Sequence, residues 1–405
     1  MVKKALNGVK VADFCWLAAG PISTSWLGRF GAEVVKIESH KRVDVDRTTP
    51  PFAQGTAWLG DRSGLFANSG GTGRYSITLN LSHRKGKEVA RRLVAWADIV
   101  SENFTTGTMA KWGLAYENLK KIKPDIIMLS LSMYGQSGPY AAQPGHGGTL
   151  VANSGMQHLT GAPDGLPMSP AGAYSDMVVP RFAVLSVVAA LDYRARTGIG
   201  QHLDLSQQDC MLQKISPALL EYEVNGRELQ RLGNRSTYAA PHGVYRCKGE
   251  FRWCAITVFN DADWQNFCEV IGQPSWKTDP EFATLLQRLK NVEKLDKRIE
   301  EWTLNHTPEE VVSLMQSGGV AAGLVQNGRD LLDDPQLKSR GYYREFDHPA
   351  MGKFAYSGLP VKMSKTPYET RRSPCMGEDN EYVYTKLLGM KDEEFIRLLG
   401  EGVFE

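Results

Sequence analysis

The chain has 405 residues, 42% of them hydrophobic and 23% charged, with a formal net charge of +2. That length exceeds one simple core and suits two compact units. So small a net charge gives no broad field for nucleic acid, and no apolar run is long enough to span a bilayer as a helix.

The segment 1–11 carries three lysines but no apolar stretch or small-residue cleavage site, so it does not read as a secretory leader. Cysteines at 15, 210, 247, 254, 268 and 375 fit neither a disulfide framework nor a zinc site. The expectation is a cytoplasmic protein with reduced thiols.

In chain order, residues 9–14 form a short apolar run that reads as a strand. A helix follows from Gly20-Pro21 to about Phe30, where proline suits a first helical position. The next strands fall at 34–37 and 77–79. Residues 85–97 carry Val89, Leu93 and Val94 at helical spacing. Short strands are read at 99–100 and, as a strongly apolar run, at 125–133. Strands alternating with helices predict a mainly parallel, doubly wound α/β sheet.

Residues 136–180 are rich in Gly, Pro, Ser and Ala and read as a long connection, which in a compact domain is usually functional. An apolar helix is predicted over 180–196, stopped at Gly198, with a strand at 202–205. The character then changes. Aromatic-rich strands within 241–259 lead into helices up to about 317, which suggests a smaller α+β domain. The tail from Leu331 reads as mixed turns ending in a helix over 392–399.

Common signatures are absent: no phosphate-binding P-loop and no H-E-x-x-H zinc helix occur. Gly71-Thr72-Gly73-Arg74-Tyr75-Ser76 precedes a strand rather than a helix, so it is a poor dinucleotide fingerprint. Two features remain. Ala18-Ala19-Gly20-Pro21 is a small-residue turn into a helix, where a ligand can approach backbone and a helix N-terminus favours phosphate. Cations follow the second strand at His40, Lys41 and Arg42, as a phosphate-bearing nucleotide requires. From spacing alone, a tight turn and a solvated basic loop explain these residues better. Asp176, just ahead of the apolar helix, reads either as an N-cap or as a nucleophile kept ionised by the helix dipole. Spacing alone favours the cap.

Several segments together resemble the class III CoA-transferases and their relatives, the α-methylacyl-CoA racemases. They are Ala19-Gly20-Pro21, Gly31-Ala32-Glu33-Val34-Val35-Lys36-Ile37-Glu38, Glu102-Asn103-Phe104, Gly135-Gln136-Ser137-Gly138-Pro139, Thr197-Gly198-Ile199-Gly200-Gln201-His202-Leu203-Asp204, Asp334-Pro335-Gln336 and Gly377-Glu378-Asp379-Asn380. Each is weak alone, but they occur in the family's order across nearly the whole chain.

The resemblance implies a Rossmann-like large domain from 1–220 and 329–405, a small α+β domain at 221–328, and an interlocked dimer of identical or homologous subunits. It implies that Asp176 attacks a donor acyl-CoA to give a mixed anhydride. CoA thiolate then returns to form an aspartyl-CoA thioester, and an acceptor carboxylate reverses the exchange. Acyl-CoA and a carboxylic acid are the substrates; no metal and no permanently bound cofactor are expected. Leu17, Ala18, Ala19, Gly20, Asn103 and Phe104 fall on the family's CoA cleft, and Arg74 and Tyr134 are placed with the CoA-binding residues.

Departures from formyl-CoA transferase are also implied. Lys111 replaces an arginine there and keeps the charge without the fork geometry, and Ser39 replaces another, for which Lys41 or Arg42 compensates. Ala18 replaces an active-site glutamine, and Val258-Phe259-Asn260-Asp261 replaces a glycine-rich loop. These changes argue for a bulkier, more apolar acid than formate or oxalate. Transferases that use succinyl-CoA and aromatic or dicarboxylic acids are the nearest likeness, with benzylsuccinate the single best candidate. Two rivals stand beside this reading. One is a racemase using His146 and Asp176, against which Gly147 lacks the carboxylate that racemases place after the histidine. The other is a non-catalytic partner subunit. The aromatic-bearing segment 56–73 is longer than in the family members compared and has no assigned role.

Overall fold

The protein is described here from a computed structural model covering residues 4–53, 61–67 and 71–405. Residues 56–60 and 68–70 of the segment 56–73 lie outside the described residues. The chain divides into two compact units. The first comprises Met1–Met156, Ser169–Arg227 and Lys338–Glu405, and the second Gln157–Met168 and Glu228–Leu337.

The first unit is built on strands β1 (Lys10–Asp13), β2 (Glu33–Glu38), β3 (Tyr75–Thr78), β4 (Ile99–Glu102), β5 (Ile127–Ser132) and β6 (His202–Ser206). Its helices are α1 (Ala19–Arg29), α2 (Val45–Thr48), α3 (Arg84–Trp96), α4 (Thr108–Lys111), α5 (Tyr116–Ile122), α6 (Gly147–Asn153), α8 (Ser175–Thr197) and α9 (Gln207–Asn225), with α7 (Met156–Leu159) at the unit boundary. The sheet is wholly parallel, in the order β3-β2-β1-β4-β5-β6. Strand order reverses between β1 and β4, so the crevice beyond their C-terminal ends is the topological switch point where such sheets bind ligands.

Period-two alternation gives the sheet two apolar faces. Ala12, Val35, Ile77 and Val100 join a core with Val89, Leu93 and Val94 of α3. Val11, Val34, Ile99 and Ile127 join another with Leu27 of α1 and Val179, Ala183 and Val187 of α8. A three-layer α/β sandwich results. Strands β1 to β5 are legible in the sequence because they are buried on both faces, while the edge strand β6 is half exposed.

Two helical expectations need correction. The connection 136–180 is not a simple loop, since it contains α6 and α7. Helix α8 starts at Ser175 rather than Pro180, so Asp176 lies inside the first turn and not at the N-cap, which is Tyr174. Pro180 has no N–H to offer the carbonyl of Asp176 four residues back, so that turn is loosely tied to the rest of the helix. Gly198 closes α8 in the left-handed conformation, as expected.

The second unit pairs the antiparallel strands β7 (His242–Arg246), β8 (Trp253–Thr257) and β9 (Ala321–Leu324). Helices α10 (Asp261–Val270), α11 (Leu285–Lys290), α12 (Val292–Thr303) and α13 (Pro308–Ser317) accompany them. Trp264, Phe267, Trp276, Phe282, Leu295 and Met315 fill their core. Two short helices, α14 (Gly328–Asp333) and α15 (Pro335–Ser339), lead back toward the first unit's residues. The tail is more ordered than mixed turns: β10 (Tyr343–His348) and β11 (Gly352–Ser357) form a hairpin, and α16 (Asp392–Gly400) ends the chain's secondary structure. Among the described residues, no helix is long and apolar enough to cross a membrane.

Candidate active site

The segment after β1 turns sharply into α1 through two non-glycine residues with positive φ, Leu17 at 49° and Ala18 at 40°. Such backbone costs about 1–3 kcal/mol per residue and persists only when neighbours hold it. Five side-chain hydrogen bonds do so. Asn103, just past β4, accepts from Trp16 N–H at 2.8 Å. Its amide donates to the carbonyls of Trp16 at 2.6 Å and Leu17 at 3.1 Å. From the other side Asp44 Oδ1 accepts from Leu17 N–H at 3.0 Å, and Asp46 Oδ2 from Ala18 N–H at 3.1 Å. The N–H groups of residues 16–18 are therefore engaged by the protein itself, in the tight turn that spacing favoured over a phosphate-binding one.

Below this turn lies a buried polar frame. Asp13 accepts from Thr24 at 2.7 Å, Ser101 at 3.0 Å and Arg74 at 2.8 Å. Lys36 Nζ pairs with Asp44 Oδ2 at 2.7 Å, and both side chains are fully buried. Buried charges survive because they are paired in this way. Gly20 is required by packing, since a Cβ there would meet Cys15 Cβ at 2.6 Å and Cys15 Sγ at 2.7 Å. Cys15 is buried, and burial followed by the Asp13 charge pushes its thiol well above the usual range. It is an inert packing residue.

The turn forms one wall of a cavity of about 430 Å³ at the switch point. Trp16, Leu17, Ala19, Asn103 and Phe104 line it from the strand ends, and Arg42, Val43, Asp44 and Val45 from the segment after β2. His146, Gly147, Ala173 and Asp176 line it from α6 and α8. Phe104 packs edge-on against Trp16 and Trp112, which fixes its ring. Ser132 Oγ also lies at the cavity, buried and without a hydrogen-bond partner among the described residues.

The two candidate catalytic residues meet here. Burial, and next the charge of Asp46, push the Asp176 carboxyl up to about 7, while a bond from Ser175 opposes the rise. His146 caps α6: its Nδ1 accepts from Gly148 N–H at 3.2 Å, and Thr149 completes a capping box. The Nδ1 lone pair is thereby engaged by the helix end.

The remaining sequence candidates separate. Arg42 lines the cavity and lies over the Trp16 ring, 5.8 Å from its centroid. Lys41 instead pairs with Glu405 at 2.6 Å on the exposed surface, and Ser39 donates to the Glu405 carbonyl at 2.9 Å. Arg74 is buried on Asp13 and on the Pro21 carbonyl, so it braces the frame instead of lining the cavity. Ala18 and Gly20 belong to the same turn and helix start but do not line the cavity. Lys111 ends α4 and is exposed, and Tyr134 packs on Tyr140 and accepts from Asn153; neither lines the cavity. Val258-Phe259-Asn260-Asp261 belongs to the second unit. The sequence reading overlooked Trp16, Asp44 and Asp46; the acidic pair two residues apart, Asp44-Val45-Asp46, was the available signal.

Residues 6–380 match the family described as CoA-transferase family III. The chain belongs to CoA-transferase family III. It is 31% identical to the formyl-CoA:oxalate CoA-transferase of Rhodopseudomonas palustris (strain BisB18), covering 99% of this chain and 97% of that one. It is 30% identical to the succinyl-CoA–D-citramalate CoA-transferase of Chloroflexus aurantiacus, covering 99% and 98% respectively. Among solved structures, a CAIB/BAIF family protein from Brucella suis superposes with a TM-score of 0.86 at 31% identity, over 95% of this chain and all of that one. The protein is therefore a family III CoA-transferase, and acyl-CoA with a carboxylic acid fits that family as its substrates.

Proposed function

We propose that this family III enzyme transfers CoA from an acyl-CoA donor, succinyl-CoA in the first instance, to a carboxylic acid through a thioester on Asp176. The observation that carries the reading is the place of Asp176: the first turn of α8, facing a cavity at the β1/β4 switch point. A carboxylate there is close to the positive end of the helix dipole, yet burial raises its basicity, which suits a nucleophile. Acyl-CoA occupies the cavity along Trp16, Asn103 and Phe104, with Arg42 as the cation for its phosphates.

The acceptor is a larger and more apolar acid than formate or oxalate. Leu17, Val43, Val45, Phe104 and Met133 give the cavity apolar surface, and no glutamine projects from the turn. Benzylsuccinate is the aromatic acid to test first. Two chains pair in the working enzyme, identical or homologous; exposed Leu185 and Val188 on α8 and Leu219, Leu220 and Val224 on α9 support this. Light scattering of the purified chain, alone and with a homologous subunit, measures the pairing.

The racemase reading draws support from His146 and Asp176 lining one cavity. Two features weigh against it. His146 Nδ1 accepts the Gly148 N–H in the α6 cap, so that lone pair is not free to take a substrate proton. Gly147 also has no room for an orienting carboxylate, because a Cβ there would lie 2.9 Å from Asp176 Oδ2.

The deciding experiment is intact-mass and peptide mapping after incubation with succinyl-CoA and hydroxylamine. A hydroxamate at Asp176, lost in Asp176→Ala, is the expected result. Turnover that survives in Asp176→Ala, or exchange of the substrate α-proton without any adduct, would overturn the reading.

A further inference from the structure

Asp46 is fully buried in α2, immediately behind the cavity wall. One carboxylate oxygen, Oδ2, holds Ala18 N–H; the other, Oδ1, is buried with no hydrogen-bond partner among the described residues. A buried carboxylate with one bare oxygen costs free energy that folding alone does not require. A neutral acceptor would hold Ala18 N–H equally well, and Asp44 already fixes the neighbouring Leu17 N–H while pairing with Lys36.

Lys36 and Arg74 favour the charged form of Asp46 only in part, since among the described residues no cation pairs with its carboxylate directly. Lys36 is committed to Asp44, Arg74 to Asp13, and Arg47 to Glu38. Ser63 Oγ donates to the Asp46 backbone carbonyl and not to its carboxylate. Asp44 is the foremost charge acting on Asp46, with Lys36 and Arg74 opposing it; the charge of Asp46 in turn reaches Asp176, which lines the cavity beyond the wall.

We infer that Asp46 is a positioning residue of the active centre, whose negative charge behind the β1–α1 turn drives Asp176 from carboxylate toward its acylated, uncharged form. This rests on Asp176 being the nucleophile. In that exchange an Asp176 oxygen bonds to the donor acyl carbon as the C–S bond breaks, and CoA leaves as thiolate. The thiolate sulfur then bonds to Asp176 Cγ, its C–O bond breaks, and the donor carboxylate departs with the negative charge. No proton is gained or lost. The charge facing Asp46 has left the site, and the repulsion between the two carboxylates is relieved in the covalent intermediate. The titration behaviour agrees. Burial and then Asp44 push Asp46 up to about 6, and once it ionises its charge holds the proton on Asp176 up to about 7.

The test compares the unaltered enzyme with Asp46→Asn and Asp46→Thr, both of which keep an acceptor for Ala18 N–H. The rate and final extent of Asp176 labelling by succinyl-CoA are measured by quenched mass spectrometry from pH 5 to 9. Circular dichroism confirms folding, and either variant suffices. Losing the charge moves the acid limb of the labelling rate to lower pH, a gain of roughly severalfold between about pH 6 and 7 that fades toward pH 5, where Asp46 is itself protonated in the unaltered enzyme. By linkage, the ratio of Asp176 thioester to free carboxylate above the limb falls by a similar factor. A purely structural Asp46 would lower the amount of active enzyme at every pH and leave the limb in place; that result would overturn the inference. No labelling of Asp176 in the unaltered enzyme would instead remove the nucleophile reading beneath it.

Discussion

Gly147 and Asp176 are packed so closely that a Cβ on the glycine would lie 2.9 Å from Asp176 Oδ2, 3.0 Å from Ser175 Oγ and 2.5 Å from Ala173 Cβ. The start of α6 thereby sets the position of the first turn of α8. Ala173 Cβ is part of a rigid backbone neighbourhood and cannot yield as a long side chain does. Gly147→Ala must displace the Asp176 turn, already loosened by Pro180. A shift approaching 1 Å costs about 100-fold in rate. The expected result is a fall of that order in kcat/KM, with helix content by circular dichroism unchanged. Full activity in Gly147→Ala would mean that Asp176 is not held by this contact.

The Asp176 carboxyl gives two pH-dependent consequences. Its folded-state value is raised to about 7 from an ordinary 3.8. The folded state thus binds this proton more tightly than the unfolded chain. The stability that this contributes is complete below about pH 4 and lost as pH rises through 7. Transfer needs the ionised form, so kcat/KM falls as pH drops below about 7. Asp176→Asn removes the buried charge: activity disappears, while the thermal midpoint rises relative to the unaltered enzyme by roughly 2–4 °C per kcal/mol relieved. The difference is small at pH 5 and largest at pH 8. A midpoint gap independent of pH would contradict the raised carboxyl.

Strands β1 to β5 were legible because they are short apolar runs buried on both faces, whereas the strand order and its switch point come from the structure. Residues 147–153 hid a helix behind Gly147-Gly148, and α9 was missed because Pro217 lies within it. The hairpin β10–β11 carries charged residues at exposed positions and no continuous apolar run. At the site, the family's segments pointed to Asn103, Phe104 and Asp176. They could not reveal that Arg74 is spent on Asp13, or that Asp46 is buried beside the turn, because both depend on contacts between distant segments.

Asn103 carries the turn from the β4 side. Asn103→Ala removes three hydrogen bonds to Trp16 and Leu17 and leaves Trp16 N–H unpaired in a part-buried place. A lost partner of this kind costs about 1–3 kcal/mol. Urea denaturation should show a loss in that range. The positive-φ residues then relax and the Trp16–Phe104 wall loosens, so KM for acyl-CoA rises more than kcat falls. A pure kcat effect would place Asn103 in the chemistry rather than in the scaffold.

The two neighbouring cations after β2 test where the phosphates of CoA lie. Arg42 lines the cavity and packs over Trp16, whereas Lys41 is paired with Glu405 on the exposed surface. A charge-assisted guanidinium–phosphate contact is worth about 1.5–3 kcal/mol. Arg42→Ala therefore raises KM for acyl-CoA by about tenfold or more and flattens its dependence on salt. Arg42→Lys recovers part of this, since the charge returns without the planar fork. Lys41→Ala removes a surface pair worth about 0–1 kcal/mol and leaves KM near its starting value. Steady-state kinetics at two salt concentrations separates the cases. If Lys41→Ala raises KM and Arg42→Ala does not, the phosphates run over the outer surface beside Glu405, and the cavity holds only the acyl end of the substrate.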